Sequence, residues 1–189
     1  FIYISHNHPD HLHPLTLSKI KKQIPIVVPN FITKSTEMYI KELGFKKIYV
    51  LDFNKQYKLV GTNLNISILK SGDFREDSGI YFSNGELTGL LSVDANMINF
   101  DRLPKVNFYG SSFAGGASGY PLMFDNYKLD EQLKISSRDK LFGKKKLFER
   151  IKKISPNYFM PYAGFFTEKL QRDKKIHTYN KKNSIDDYL

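Results

Sequence analysis

The sequence has no cysteine, no tryptophan and only five histidines among 189 residues. The absence of cysteine rules out a disulfide framework and fits a reducing compartment, so a cytoplasmic location is expected. No apolar run approaches the roughly 20 residues needed to cross a bilayer, and no membrane partner is expected. No charged-then-apolar leader marks secretion. Acidic residues are the minority charge: 19 Asp and Glu against 29 Lys and Arg give a net charge of +10. Much of that excess falls in Lys134 to Lys153 and Lys169 to Lys182 and reads as solvated faces. Nucleic acid is therefore not the expected partner; a positive field favours a small anionic substrate. With 41% hydrophobic and 14% aromatic residues the chain suits one globular domain with a sizeable core.

Scarce as histidine is, four of the five lie between positions 6 and 13. Ile4-Ser5-His6-Asn7-His8-Pro9-Asp10-His11 follows the apolar run Phe1 to Ile4. Alternation along a strand puts His6 and His8 on one side. Pro9 stops strand pairing, and Asp10 and His11 can fold back toward the same point. Imidazole and carboxylate together suit zinc, iron or manganese. The spacing can serve two adjacent ions, one held by His6 and His8, the other by Asp10 and His11. Asp94, at the end of the apolar run Leu90 to Val93, is placed for a metal cleft rather than a core.

His-x-His-x-Asp-His after a hydrophobic strand resembles the metallo-β-lactamase fold, a four-layer αββα sandwich of the α/β class. Phe113-Ala114-Gly115-Gly116-Ala117-Ser118-Gly119-Tyr120-Pro121 and Pro161-Tyr162-Ala163-Gly164-Phe165-Phe166 look like segments of the CMP-N-acetylneuraminate hydroxylase family. Ser5 to Leu12, with Pro25 to Val28 after it, is similar to the same family in the same order. The likeness covers residues 1–170 in patches, giving one metal-binding catalytic domain there and a polar tail over 171–189. It implies metal ligands His6, His8, Asp10, His11 and the bridging Asp94, with one or two divalent ions, iron or zinc. It also implies that the chain is a fragment lacking the hairpins that precede the first strand. An upstream Rieske domain would carry an iron–sulfur cluster and make an electron-transfer partner possible.

The rest of the chain alternates strands and helices, as layered sheets covered by helices require. Leu15 to Lys22 reads as a helix over the metal loop, and Ile24 to Val28 as a strand between prolines. Ser35 or Thr33 caps a helix through Leu43, stopped by Gly44. Lys47 to Leu51 is a strand followed by a polar turn, and Leu64 to Leu69 is a half-buried strand. Gly79 to Phe82 and Leu87 to Val93 flank a hairpin turn at Ser83 to Glu86. Val106 to Tyr109 and Tyr158 to Met160 are further strands. Lys140 to Ile154 is the clearest helix, with Leu141, Lys145, Phe148, Ile151 and Ile154 at helical spacing.

Two departures from the superfamily pattern matter. The interval from His13 to Asp94 contains no histidine, where a middle metal histidine is usual. Asp73, Glu76 or Asp77, within Lys70 to Asp77, could supply an oxygen instead and shift preference toward iron or manganese. The late histidine is also unmatched; His177 reads as a surface residue, and His13 as exposed or supporting. Three glycines within Phe113 to Pro121 permit close approach of backbone amides to anionic oxygens, or else a tight turn forced by packing. The resemblance favours the active-site rim and makes Ser111, Gly115, Gly116, Ser118, Tyr162 and Gly164 substrate-binding candidates.

Three functions follow as expectations. The first is iron-dependent monooxygenation of the N-acetyl group of a CMP-sugar or similar anion. The second is hydrolysis of an ester, lactone or phosphoester, with Asp10 as the catalytic residue that orients or deprotonates a water shared by ions roughly 3.5–4 Å apart. The third is a degenerate module that binds without turnover.

Overall fold

The computed structural model describes residues 1–113, 119–162, 169–179 and 183–188. Two sheets lie face to face. Strands β1 (Ile2–Tyr3), β2 (Ile26–Pro29) and β3 (Ile48–Leu51) form a parallel sheet in that order. The second sheet runs β4 (Gln56–Lys58), β5 (Asn65–Lys70), β6 (Ser78–Ser83), β7 (Thr88–Leu91), β8 (Phe108–Ser111) and β9 (Tyr158–Pro161). Its first four strands are antiparallel neighbours, and β7, β8 and β9 are parallel.

Side-chain alternation assembles the layers. Ile26 and Val28 pack with Ile4, Leu12, Leu17, Ile40 and Phe45 under helices α1 (Pro14–Ser18) and α2 (Ser35–Glu42). Val27, between them in sequence, faces the other way, onto Ile66, Ile68 and Ile80 of the second sheet. All four β2 residues are buried, as expected of a parallel strand covered on both faces. Beyond the second sheet, Leu90 and Tyr109 pack with Leu147 of helix α3 (Leu129–Ile154). The order helices, sheet, sheet, helix is the αββα sandwich read from the sequence.

Differences from that reading have local causes. Helix α3 starts at Leu129, well before the expected Lys140. Its first turns lack an apolar stripe; the buried Gln132 pins them by donating to the Pro121 and Phe124 carbonyls. The buried face of α3 matches the expected one at Ile151 and Ile154, which pack against the core beside Leu147, and departs from it earlier in the helix. Leu147 is 2% exposed, whereas Leu141 is 68% and Phe148 44% exposed. Strand β4, expected as a polar turn, pairs through its backbone with β5. The polar stretch after residue 170 is tied to the rest of the fold at several described residues, Ile176 and Tyr188 among them. Ile176 on helix α4 (Lys174–Tyr179) is buried, and the Tyr188 hydroxyl donates to the Phe113 carbonyl at 2.8 Å. Among the described residues no helix is long and apolar enough to cross a membrane.

Candidate metal centre

The site lies where β1, β6 and β7 end or begin on one rim. Strand β1 stops at Tyr3, sooner than expected, so convergence of the histidines comes from a loop. The His11 and Leu12 amides both donate to the His8 carbonyl, at 2.9 and 2.7 Å, closing a tight turn. Buried Leu12 ties down its far end. His6 Nε2 and His8 Nδ1 stand 2.8 Å apart. Asp94 Oδ2 is 3.8 Å from His6 Nε2 and 3.4 Å from His11 Nε2, and Asp10 Oδ2 is 3.4 Å from the same His11 atom. Two ligand triplets result, His6/His8/Asp94 and Asp10/His11/Asp94, each with its donor atoms within 4.8 Å of one another. All five residues singled out as metal ligands are thus brought together.

The donor set suits a divalent cation. Two imidazole nitrogens at 2.8 Å repel unless a proton or cation lies between them. Buried His6 contacts Ser5 Oγ through Nδ1 at 2.9 Å, which fits the Nδ1–H donor arrangement that leaves Nε2 to face the cluster. Burial, then the neighbouring His11 and His8, push His6 down to about 4, so it stays neutral and able to ligate. His11 moves the other way, raised chiefly by its bond to Asp94, which outweighs burial. That bond in turn holds Asp94 below the usual carboxylate range.

Of the three acids offered in place of the middle histidine, one reaches the cluster. Asp73 is forked by Arg75, whose Nε and Nη2 stand 2.9 and 2.6 Å from Oδ2. Glu76 accepts from the Thr33 amide and hydroxyl. Asp77, at the head of β6, is buried and lies 3.7 Å from His6 Nε2. Among the described residues its Oδ2 has no hydrogen-bond partner, and the Arg75 Nη1 stands 3.2 Å away. Burial pushes the Asp77 carboxyl up, against the pull of Arg75. Sequence reasoning missed Ser5 and Arg75, whose roles depend on contacts made only in the fold.

Asp94 is delivered by a turn after β7. The Ala95 amide donates to the Ser92 carbonyl at 2.9 Å, and Val93 adopts φ 52°. The Val93 amide donates to the Tyr162 hydroxyl at 2.8 Å, and burial pushes that phenol upward. Ser111 differs from its expected role at the rim. It is fully buried, its Oγ 3.1 Å from Ser92 Oγ and donating to the Ser112 carbonyl, so it ties β7 to β8. Gly115, Gly116, Ser118 and Gly164 lie outside the described residues. His13 is exposed and caps α1 by accepting from the Thr16 amide; His177 is exposed.

The four layers and the ligand-bearing loop after the first strand define a domain of the metallo-β-lactamase fold. In sequence the chain is homologous to cytidine monophosphate-N-acetylneuraminic acid hydroxylases across nearly its whole length. It is 35% identical over 193 aligned residues to the Xenopus laevis protein, covering 96% of this chain and 32% of that one. The Danio rerio protein is 34% identical, with 97% and 32% covered. The human relative, named an inactive hydroxylase, is 36% identical, with 96% and 38% covered. The chain thus spans about a third of the length of the curated relatives it matches. No protein-family model matches it. Among solved structures, a mutant of the CmlA beta-hydroxylase superposes with a TM-score of 0.61 at 19% identity, covering 85% of this chain and 35% of that one. The isothiocyanate hydrolase from Delia radicum gut bacteria gives 0.56 at 15% identity, with 95% and 70% covered.

Proposed function

We propose that this chain is the metal-binding catalytic part of a hydroxylase acting in the cytoplasm on a CMP-sugar or similar anionic substrate. The observation that carries this is the pair of ligand triplets sharing Asp94, in a chain homologous to proteins named as such hydroxylases. His6 and His8, with Asp77 and Asp94, would hold one ion; Asp10 and His11, with Asp94, would hold the other. Iron there would supply the redox chemistry of hydroxylation, and zinc the polarisation of a bond to be hydrolysed.

The chain's own residues prepare the site. Ser5 fixes the His6 ring, and burial keeps that ring neutral. The net charge of +10 draws an anion toward the rim. Gly115, Gly116, Ser118 and Gly164, the candidates named from the sequence, are proposed to bind it, since glycine lets backbone amides approach phosphate or carboxylate oxygens. A chain without cysteine cannot itself hold a Rieske cluster, so electrons would come from another domain or a partner.

The hydrolase reading rests on Asp10, whose side chain is 72% exposed beside His11 and free to orient or deprotonate a water. One experiment separates the readings. The full-length protein is purified without oxygen, its metal content measured, and CMP-N-acetylneuraminic acid supplied with a reductant and oxygen. Two irons per chain and a product heavier by one oxygen atom are expected. Two zincs with hydrolytic turnover favour the hydrolase; failure to bind iron, manganese or zinc rejects both and leaves a degenerate binding module.

A further inference from the structure

We propose that Tyr162 is a positioning residue that acts on the metal centre through the backbone of Val93, aiming Asp94 at both ligand triplets. The proposal rests on the metal-site reading above. Valine is a poor choice for φ 52°, because its branched Cβ crowds the carbonyl in the left-handed region. Such residues persist only where their surroundings over-determine them.

Three contacts do so here. The Val93 amide donates to the Tyr162 hydroxyl at 2.8 Å, bridging the end of β7 to the end of β9. The Ala95 amide closes the turn on Ser92 at 2.9 Å, with Ala95 fully buried. The ring itself is held against a glycine: a Cβ on Gly110 would lie 3.0 Å from Tyr162 Cε1 and 2.6 Å from Leu91 Cδ2. The ring therefore sits flush on β8, with its hydroxyl directed at the turn. Asp94 is the next residue and the only ligand common to the two triplets. A turn free to relax toward negative φ would swing that carboxylate away from His6 and His11 together.

The test uses full-length protein and Mn2+ or Zn2+ affinity, read by competition with a chromophoric chelator, so that no turnover is needed. Tyr162→Phe keeps the ring and removes the acceptor. We expect its metal affinity to fall about 10- to 100-fold, the range for groups that orient ligands without ligating. Adding Val93→Gly to that variant should restore affinity to within a few fold, because glycine adopts positive φ without the steric cost. Unchanged affinity in Tyr162→Phe, or a loss that Val93→Gly does not rescue, would overturn the role. If the variants fail to fold, amide exchange in the wild type decides: a protected Val93 amide supports the bond, and one exchanging like the exposed loops refutes it. Absence of metal binding in the wild type is a distinct outcome and would sink the metal-site reading along with this one.

Discussion

His6 and His8 face each other nitrogen to nitrogen across 2.8 Å, one ring buried and the other exposed. Exposure of His8 means that its removal opens no core cavity. His8→Ala should therefore fold with a Tm close to wild type while losing metal affinity by more than about 100-fold, beyond the loss typical of an outer-shell change. Chelator competition checks this. An unaltered affinity would show that the facing nitrogens do not hold an ion.

Asp77 lies 3.7 Å from His6 Nε2, within the stretch read as a replacement for a middle histidine, and burial pushes its carboxyl up against the pull of Arg75. Asp77→His supplies nitrogen in place of oxygen and should shift preference from Mn2+ toward Zn2+ by about tenfold. Asp77→Asn should weaken both ions. Paired titrations with the two metals give the ratio, and an unmoved ratio would remove Asp77 from the ligand set.

The register of α3 has its own test. Leu147→Ala deletes a buried side chain against Leu90 and Tyr109 and should cost about 2–5 kcal/mol. At 189 residues that corresponds to a Tm lower by roughly 5–20 °C. Leu141→Ala, on the exposed face, should move Tm by no more than about 2 °C. Equal effects would mean that the helix is rotated from the face described.

The end of the chain gives a pH prediction. Asp187 is held below the usual carboxylate range first by the Ser184 amide at 2.8 Å and then by Lys140 and Lys144. A depressed folded value stabilises above the unfolded carboxylate pKa of about 3.9, and that contribution is lost as pH falls through the lowered value. Protection of the Ser184 amide should accordingly persist through pH 5 and disappear only under stronger acid. In Asp187→Asn the protection should be weak at every pH.

Much of this site is contiguous in sequence, and for that reason legible there. His6, His8, Asp10 and His11 announce themselves by spacing, and Asp94 by ending an apolar strand. Choosing Asp77 over Asp73 and Glu76 requires knowing where β6 begins and which acids Arg75 and Thr33 engage, and both are tertiary facts. Ser111 shows the converse: a hydroxyl near a glycine-rich loop reads as a rim group, yet the pleat turns it into the seam with Ser92. The layers followed from the succession of strands and helices together with the family resemblance; β5 shows the half-buried alternation, whereas β2 is buried on both faces. The first half of α3 did not follow from period 3.6, because Gln132 rather than an apolar stripe secures it.

Sharing of Asp94 between the two triplets has a thermodynamic consequence. An ion that takes up one triplet freezes the carboxylate rotamer that the other also requires, so the second ion meets a ligand whose ordering is already done. By linkage, whatever factor the first occupant applies to the second is returned by the second to the first. Ordering of Asp94 favours joint filling, set against the repulsion of two cations that share one carboxylate, and the population of half-loaded protein in a metal titration gives the balance.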